Sequence, residues 1–466
     1  MIHNSRIKPL NKKNINPRGE YILYWMQASQ RTEYNHALEY AIIEANKSNK
    51  PLLVYFGIDT SFPEANRRHY QFMLEGLQEV KKSLYNRGIK MIIESVPPDK
   101  DILKFAEYAS LLVVDRGYLK IERTWRNNVS QQIDCPLIQV ESNVIVPVEV
   151  ASSKEEYAAY TIRKKLYRKL PEFLHPLHTR TIRVSSLDLK LSFINYKDIP
   201  LDNVTLCLDR LKVDNTVPEV NLYRGGTTRA LALYNDFLHN KIKDYHEYRN
   251  DPVKNWISNM SPYLHFGQVS PLHLIIKGNN YCKKHEIDKG FKEFFEELVI
   301  RRELSFNFVY YNPDYDSIKS LPDWAKKTLK EHENDTREFS YSLQELEDAK
   351  THDPYWNAAQ KELLLTGKIH GYMRMYWGKK ILEWTSSPDL AYKYALYLNN
   401  KYALDGRDPN GFAGVAWCFG KHDRPWPGCN IFGKVRYMSS GGLKRKFKID
   451  LYLKRIHNLE EASHVG

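Results

Sequence analysis

The sequence predicts an α/β domain with a doubly wound parallel sheet, followed by a large all-helical domain. Over residues 20–150, short apolar runs alternate with amphipathic stretches, the βαβα rhythm of a parallel sheet covered by helices on both faces. From residue 221 onward, apolar residues recur at helical spacing almost without interruption. Between them, residues 151–220 open with a charged helical stretch and then lose clear periodicity, which predicts an interdomain connection lying across a surface.

Residues 1–19 are polar and basic, lack the apolar core of a signal peptide, and are expected to form a flexible tail. YILYWM, PLLVYFGI, IKMIIESV, LLVVD and CPLIQV then read as buried strands, separated by helical periodicity at 31–49, 67–87, 101–110 and 121–133. Such a sheet holds a ligand at the carboxyl ends of its strands. The first strand is followed by Met26-Gln27-Ala28-Ser29-Gln30-Arg31 and not by GxGxxG, so a nicotinamide dinucleotide fingerprint is absent. In the carboxyl-terminal half, residues 221–466, stretches such as NDFLHNKIKDYHEYRN, FKEFFEELVIRRELSFNFVYY and DLAYKYALYLNNKYAL each suit a helix of an all-α domain.

Composition narrows the partners. A net charge of +13 and a pI near 9.1 favour a polyanion, most simply nucleic acid. An aromatic content of 13%, including 32 Tyr and 9 Trp, suits stacking on planar ligands or bases. The five cysteines show neither CxxC nor ligand-like spacing, so no disulfide framework and no metal site are expected, and a reducing cytoplasm is the default. No apolar run approaches the ~18 residues of a membrane span. Gly428 to Lys434 mimics P-loop spacing, but Val435 stands where a magnesium-binding hydroxyl is needed, so the match is set aside.

Five segments carry the chemical pattern: RGGTTRA from Arg224, YHEYRNDP from Tyr245, SNMSPYLHFG from Ser258, WNAAQKELLLTGKIHGYMRMYWGKKILEW from Trp356, and LDGRDPNG from Leu404. HDRPW at 422–426 and GKVRYMS at 433–439 close the set. Trp377 and Trp384 are seven residues apart, about 10 Å of rise on one helical face, and Trp356 lies one helical segment earlier. Aromatics at this spacing are ordinarily core. A file of indoles in van der Waals reach would also pass an electron from solvent to a buried redox cofactor. Small and hydroxylated residues at helix starts, Gly225, Thr227, Ser258 and Ser261, either offer donors to a pyrophosphate or simply cap their helices.

Taken in order, these segments resemble the photolyase/cryptochrome superfamily over essentially the whole chain. The WNAAQ, GYMRMYW and LDGRDPNG segments resemble those of class II cyclobutane pyrimidine dimer photolyases in particular. The resemblance implies a Rossmann-like antenna domain on a helical domain that holds FAD, active as FADH−. Tyr245, Gly225, Thr227, Ser258, Met260, Ser261 and Arg302 would contact that cofactor. Arg374 and Asp405 would form an ion pair beside the isoalloxazine, the cation favouring the anionic reduced form. Asn399 would face flavin N5, with Asn410 as the competing choice.

The implied activity is light-driven splitting of a pyrimidine dimer flipped out of DNA, by one electron lent from excited FADH− and then returned. Glu297 would hydrogen-bond the carbonyl edge of the dimer, and Trp417, Met375 and Tyr341 would line its pocket. Where part of the superfamily has a tryptophan as the opposite wall, this chain has Arg301, whose guanidinium plane also stacks. Trp377, Trp356 and Trp384, in that order from flavin to surface, would re-reduce oxidised FAD, with Tyr376 as an auxiliary. Arg249, Arg424, Trp426 and Arg436 would contact DNA. UV-damaged DNA would be the partner of a monomer with no obligate protein partner and no membrane, in the cytoplasm at the nucleoid or in a nucleus. An antenna chromophore, 8-hydroxy-deazaflavin or folate, would sit in the sheet domain, or its site would be empty, and the residues do not choose among the three. The rival readings are a cryptochrome-like light sensor and a non-catalytic DNA-binding paralogue.

Overall fold

The computed structural model describes residues 2–465, so Met1 of the expected tail and Gly466 of the helical half lie outside the described residues. Strands β1 Ile7–Pro9, β2 Tyr21–Trp25, β3 Leu52–Gly57, β4 Lys90–Glu94, β5 Ala109–Asp115 and β6 Leu137–Val140 form one sheet. Their order is β1-β6-β5-β2-β3-β4. The five strands expected from the apolar runs pair in parallel. Helices α1 His36–Ser48, α2 Arg67–Asn86, α3 Pro98–Ala106 and α4 Lys120–Gln132 connect them. Alternation along β2 separates the two faces. Ile22 and Tyr24 pack with α1 and α2, whereas Tyr21, Leu23 and Trp25 pack with α3 and α4.

The amino-terminal tail departs from expectation. Instead of a flexible leader, it adds β1 antiparallel to β6, with Ile7 opposite Val140. Arg6 is only 3% exposed and donates to the carbonyls of Glu141 at 3.0 Å, Val144 at 3.1 Å and Ile145. A three-residue edge strand ending in proline has no apolar alternation to betray it. The opposite edge is covered by the connection. Lys90 N donates to Ser186 Oγ at 2.7 Å, Ile93 N to Asp198 Oδ1 at 2.9 Å, and Ile199 N to Ile93 O at 2.7 Å. The irregular chain thus occupies polar groups that β4 would otherwise present to another strand.

The helical half carries the long helices Pro354–Thr366, Gly371–Trp384 and Pro388–Tyr402, and a continuous rod in which Lys289–Phe295 passes through a π-turn, Glu296–Arg301, into Arg302–Tyr311. Among the described residues, no helix is long and apolar enough to cross a membrane. The α1/α2 face of the sheet shares one core with Tyr234, Tyr263 and Phe294 of the helical half. A second core surrounds Trp356, Trp377 and Trp384. Arg68 of α2 pins the halves together, donating to the carbonyls of Pro218, Leu363, Leu364 and Tyr402 at 2.9–3.3 Å. Burial pushes its guanidinium down to about 10.

The RGGTT segment serves this docking. Gly225 N donates to Glu75 Oε2 at 2.6 Å, and a Cβ on Gly225 would run into the Phe72 carbonyl of α2. Gly225→Ala should therefore lower the denaturant midpoint by the equivalent of about 1–3 kcal/mol, the usual cost of overpacking. Gly371→Ala, whose Cβ meets nothing within 4 Å, should leave it unchanged or raise it.

Candidate functional site

A cavity of about 480 Å³ opens in the helical half, within the range of roughly 300–1,000 Å³ typical of ligand sites. It gathers Tyr245, Arg249, Ser258, Met260, Ser261, Glu297, Arg302, Arg374, Met375, Asp405 and Trp417 from the sequence-selected residues. These positions come from six separate stretches of chain, so only the fold brings them together.

Charge is concentrated at one wall. Arg374 Nη2 lies 2.9 Å and 3.3 Å from the two carboxylate oxygens of Asp405. Burial works to raise the Asp405 pKa, but the charges of Arg374 and Lys368 outweigh it and hold the carboxyl well below its usual range. Lys368 donates to Ser261 Oγ at 2.7 Å, and burial pushes its ammonium down to about 8. Next to it, His265 Nδ1 meets Asp408 Oδ2 at 3.3 Å.

Several buried polar atoms point to a missing partner. Among the described residues, Asn259 Oδ1, Arg302 Nε, Arg374 Nε and Asn399 Nδ2 have no hydrogen-bond partner. Leaving buried donors unmet costs about 1–3 kcal/mol each. Asn259, Arg302 and Arg374 line the cavity. Asn399 is 1% exposed and stands behind Gly411, where a Cβ would come within 3.1 Å of its Nδ2. Asn410, the competing choice, is in the lining itself, its Nδ2 donating to Asp408 Oδ1 at 2.7 Å. A Cβ on Gly371 or Gly414 would project into open space. Unmet donors and an acceptor around a space bare of side chains fit a polar, planar cofactor such as FAD.

The π-turn shapes the mouth. In a regular helix, residues five apart point about 140° away from one another. Here Glu296 and Arg301 meet, Arg301 Nε donating to Glu296 Oε1 at 3.2 Å, and Arg163 binds the same carboxylate at 2.6 and 3.1 Å. Glu297 is thereby released from Arg301 and turned into the cavity, 2.9 Å from Arg249 Nη1. Arg249 also meets Glu293 at 3.2 Å. Expected to touch DNA, it lines the cavity, paired with Glu297 there and with Glu293 outside the lining. Trp417, 37% exposed, has the Arg301 guanidinium 5.9 Å above its ring.

Other expected residues lie elsewhere. Gly225 and Thr227 are absent from the cavity lining; Gly225 serves the domain interface, and Thr227 Oγ1 donates to Gln268 O at 2.7 Å within the helical half. Tyr341 is far from the lesion-pocket role assigned to it: its ring packs on Trp384 at 5.4 Å and 78°. The three indoles touch in the order Trp377, Trp356, Trp384. Trp356 lies 6.4 Å from Trp377 at an interplanar angle of 3°, and 5.7 Å from Trp384 at 68°. Trp384, expected at the surface, is 2% exposed, because its helix is overlaid by the segment carrying Tyr341 and His352. Tyr376 is fully buried and donates its phenol to Asp353. Outside the cavity, Arg424 and Arg436 flank Trp426 at 5.7 and 4.8 Å on a loop closed by the Cys429–Gly433 bridge. The P-loop mimic is this tight bridge.

A second cavity, about 150 Å³, lies beyond the strand ends, where Gln27 and Ala28 follow β2, Ile58 and Asp59 follow β3, and Glu122 and Asn143 come from the far side of the sheet. The order of strands reverses between β2 and β5, so this is the crevice such sheets offer to ligands. Leu264, His265 and Asp408 line both cavities.

A family model for DNA photolyase matches residues 22–181. The deoxyribodipyrimidine photo-lyase of Methanothermobacter thermautotrophicus is 53% identical over 459 residues, covering 98% of this chain and 99% of that protein. The chain belongs to the DNA photolyase family. Its fold is also that of a Synechocystis cryptochrome, with a TM-score of 0.73 at 16% identity over 93% of this chain and 88% of that one. An archaeal photolyase from Sulfolobus tokodaii, described with two FAD molecules, gives 0.68 at 18% identity over 93% and 89%.

For a photolyase, the residues missed in the sequence are instructive. Lys368 sat in the Thr366-Gly367-Lys368 helix break, which is readable only as a break. His265 and Asp408 were inside recognised segments, yet their pairing spans 143 residues. Asn259 adopts φ +57°, a left-handed conformation no local pattern demands.

Breaking the buried pair tests this wall. Arg374→Leu should cost about 3–5 kcal/mol at pH 7, the penalty for stranding a buried charge. Because the folded pKa of Asp405 is depressed, the pair's contribution is complete above the usual carboxylate range, about pH 4, and is lost as pH falls below it. The gap between variant and parent in urea unfolding should therefore narrow in acid.

Proposed function

We propose that this chain is a class II photolyase that splits cyclobutane pyrimidine dimers in DNA, using FAD held in the larger cavity. The observation that carries the reading is the cavity itself, with paired charges and unmet donors deep inside, and Glu297 and Trp417 at the mouth. Arg302, Arg374, Asn259 and Ser261 would hold the cofactor, with the Asn399 amide behind Gly411 as a further donor. When bound, reduced FAD supplies an excited-state electron to the dimer and recovers it after the ring opens.

The remaining work falls to side chains. Lys368 and Arg374 give the deep wall positive charge beyond what Asp405 neutralises, which favours an anionic ligand. Glu297, aligned by Arg249, can hydrogen-bond the imide edge of a flipped pyrimidine. Trp417 offers its face to that base. A base between two flat groups needs about 7 Å, two contact spacings. Arg301, 5.9 Å from the indole, must move aside when a dimer enters. The exposed Arg424 and Arg436 around Trp426 suit phosphate contacts that are independent of base sequence. The stacked indoles suit electron supply to oxidised FAD from the side of Trp377, which lies one helical turn beyond Arg374. The smaller cavity, sharing a wall with the larger, suits an antenna chromophore, though at about 150 Å³ its side chains must part to admit a tricyclic ring.

The protein reconstituted with FAD should be coloured, photoreduce under blue light with a thiol donor, and remove thymine dimers in light but not in darkness. Dark and light samples that retain the dimers equally, despite bound and reduced flavin, would support a light sensor instead. Trp377→Phe should lose photoreduction yet repair normally once reduced by dithionite; loss of both would overturn the assigned role. Arg436→Ala should weaken binding evenly across sequences and reduce the salt slope of log K by about one.

A further inference from the structure

We propose that Tyr341 and His352 form a proton-coupled electron donor at the outer end of the indole file, so that the oxidising equivalent leaves through Tyr341 and not from Trp384. The inference rests on the reading above, in which light draws an electron along the indoles to FAD.

The file stops short of solvent. Trp384 is 2% exposed, and the Lys380 ammonium, paired with Glu383 at 2.7 Å, lies 5.6 Å over its ring. A positive charge on this indole would be shut off from water, with an ammonium over its ring. Two rings lie between it and the surface. Tyr341 packs at 5.4 Å and 78°, and His352 at 5.3 Å and 65°. His352 is exposed and Tyr341 half-buried. The two are joined directly. The Tyr341 hydroxyl lies 2.7 Å from His352 Nδ1, and the same oxygen accepts from the His352 backbone N–H at 2.9 Å. In the Nε2–H form of the imidazole, Nδ1 accepts the phenolic hydrogen and is free to take the proton. Phe339 stacks on the imidazole at 3.6 Å and 17° and holds it there.

A phenol that loses an electron becomes a strong acid, so its oxidation is easy only when a base takes the proton in the same step. The balance is explicit. Oxidised Trp384 takes one electron from Tyr341 and returns to a neutral indole. The phenolic O–H bond breaks and its proton forms an N–H bond at His352 Nδ1. The products are a neutral tyrosyl radical and an imidazolium. A thiolate from solvent then supplies one electron, the proton returns from Nδ1 to oxygen, and a thiyl radical departs. The only oxidant required is photoexcited oxidised flavin.

Tyr376 is the alternative phenol with a base, since Asp353 accepts its hydrogen bond. It is fully buried, Lys380 lies 5.7 Å over its ring, and among the described residues no ring contact joins it to the three indoles. It has no path to a donor in solution.

Flash excitation of the FAD-loaded protein, followed by transient absorption and by electron paramagnetic resonance with ring-deuterated tyrosine, tests the assignment. The parent should end on a tyrosyl radical whose spectrum narrows on deuteration, formed with a solvent isotope effect. Tyr341→Phe, which removes one hydroxyl, should end on a tryptophanyl radical, recombine faster and lose several-fold in photoreduction yield. His352→Gln, which keeps a hydrogen-bond acceptor but no base, should resemble it, while Tyr376→Phe should match the parent. A tryptophanyl end point in the parent, or an unchanged radical in Tyr341→Phe, overturns the proposal and leaves the photolyase reading intact. Absence of any flavin photoreduction in the parent overturns both.

Discussion

Asp405 keeps a full negative charge in a place from which water is nearly excluded, and the helical half is arranged to make that tolerable. A buried carboxylate survives only when cations and hydrogen bonds repay its lost hydration. Arg374 supplies one cation from the Gly371–Trp384 helix, and Lys368 another from the turn before it. The chain around Asp405 is consequently held on all sides. Gly406 presses on the Asn399 carbonyl so closely that a Cβ would fall 2.7 Å from it. Arg407 adopts φ +57° and sends a buried guanidinium to Asn400 O and to His69 of α2, 3.1 Å away. Asp408 caps the helix Pro409–Cys418, accepting from Asn410 N at 2.8 Å. One short loop thus ties the cavity wall, the sheet domain and the helix that carries Trp417.

The π-turn solves a different problem on the facing wall. A straight α-helix from 289 to 311 would carry its carboxylates around the rod at fixed 100° steps. The inserted residue in Glu296–Arg301 breaks that phase and separates two adjacent acids by function. Glu296 binds Arg163 and Arg301 on the outside, and Glu297 faces inward against Arg249. The wider turn gives up good backbone geometry locally, and its gain is a carboxylate at the cavity mouth that no regular helix would present there.

Packing and chemistry share the same side chains in the indole core. Trp377 donates to Gln360 Oε1 at 2.9 Å and Trp356 to the Trp377 carbonyl at 3.0 Å, so neither buried N–H is left unmet. The near-parallel pair and the edge-on third ring fill the space between two long helices as any aromatic core would. Reading them only as core or only as conductor misses that one geometry serves both.

Periodicity specified five parallel strands and the helical half, and the ordered segments, through the family they resemble, pointed to the Arg374–Asp405 pair and to part of the cavity lining. Those features are legible because each depends on a local pattern or on an ordered series of short segments. The tertiary structure alone decided the rest. β1 exists because Arg6 finds carbonyls more than 130 residues away. Gly225 serves the interface because α2 arrives against it. Arg249 turns inward because a π-turn brings Glu297 to it, and Tyr341 covers Trp384 because the chain folds back over that helix end. A sequence reports which face of an element is apolar. It does not report which distant charge or ring will be set against that face, because that partner is chosen only when the elements pack.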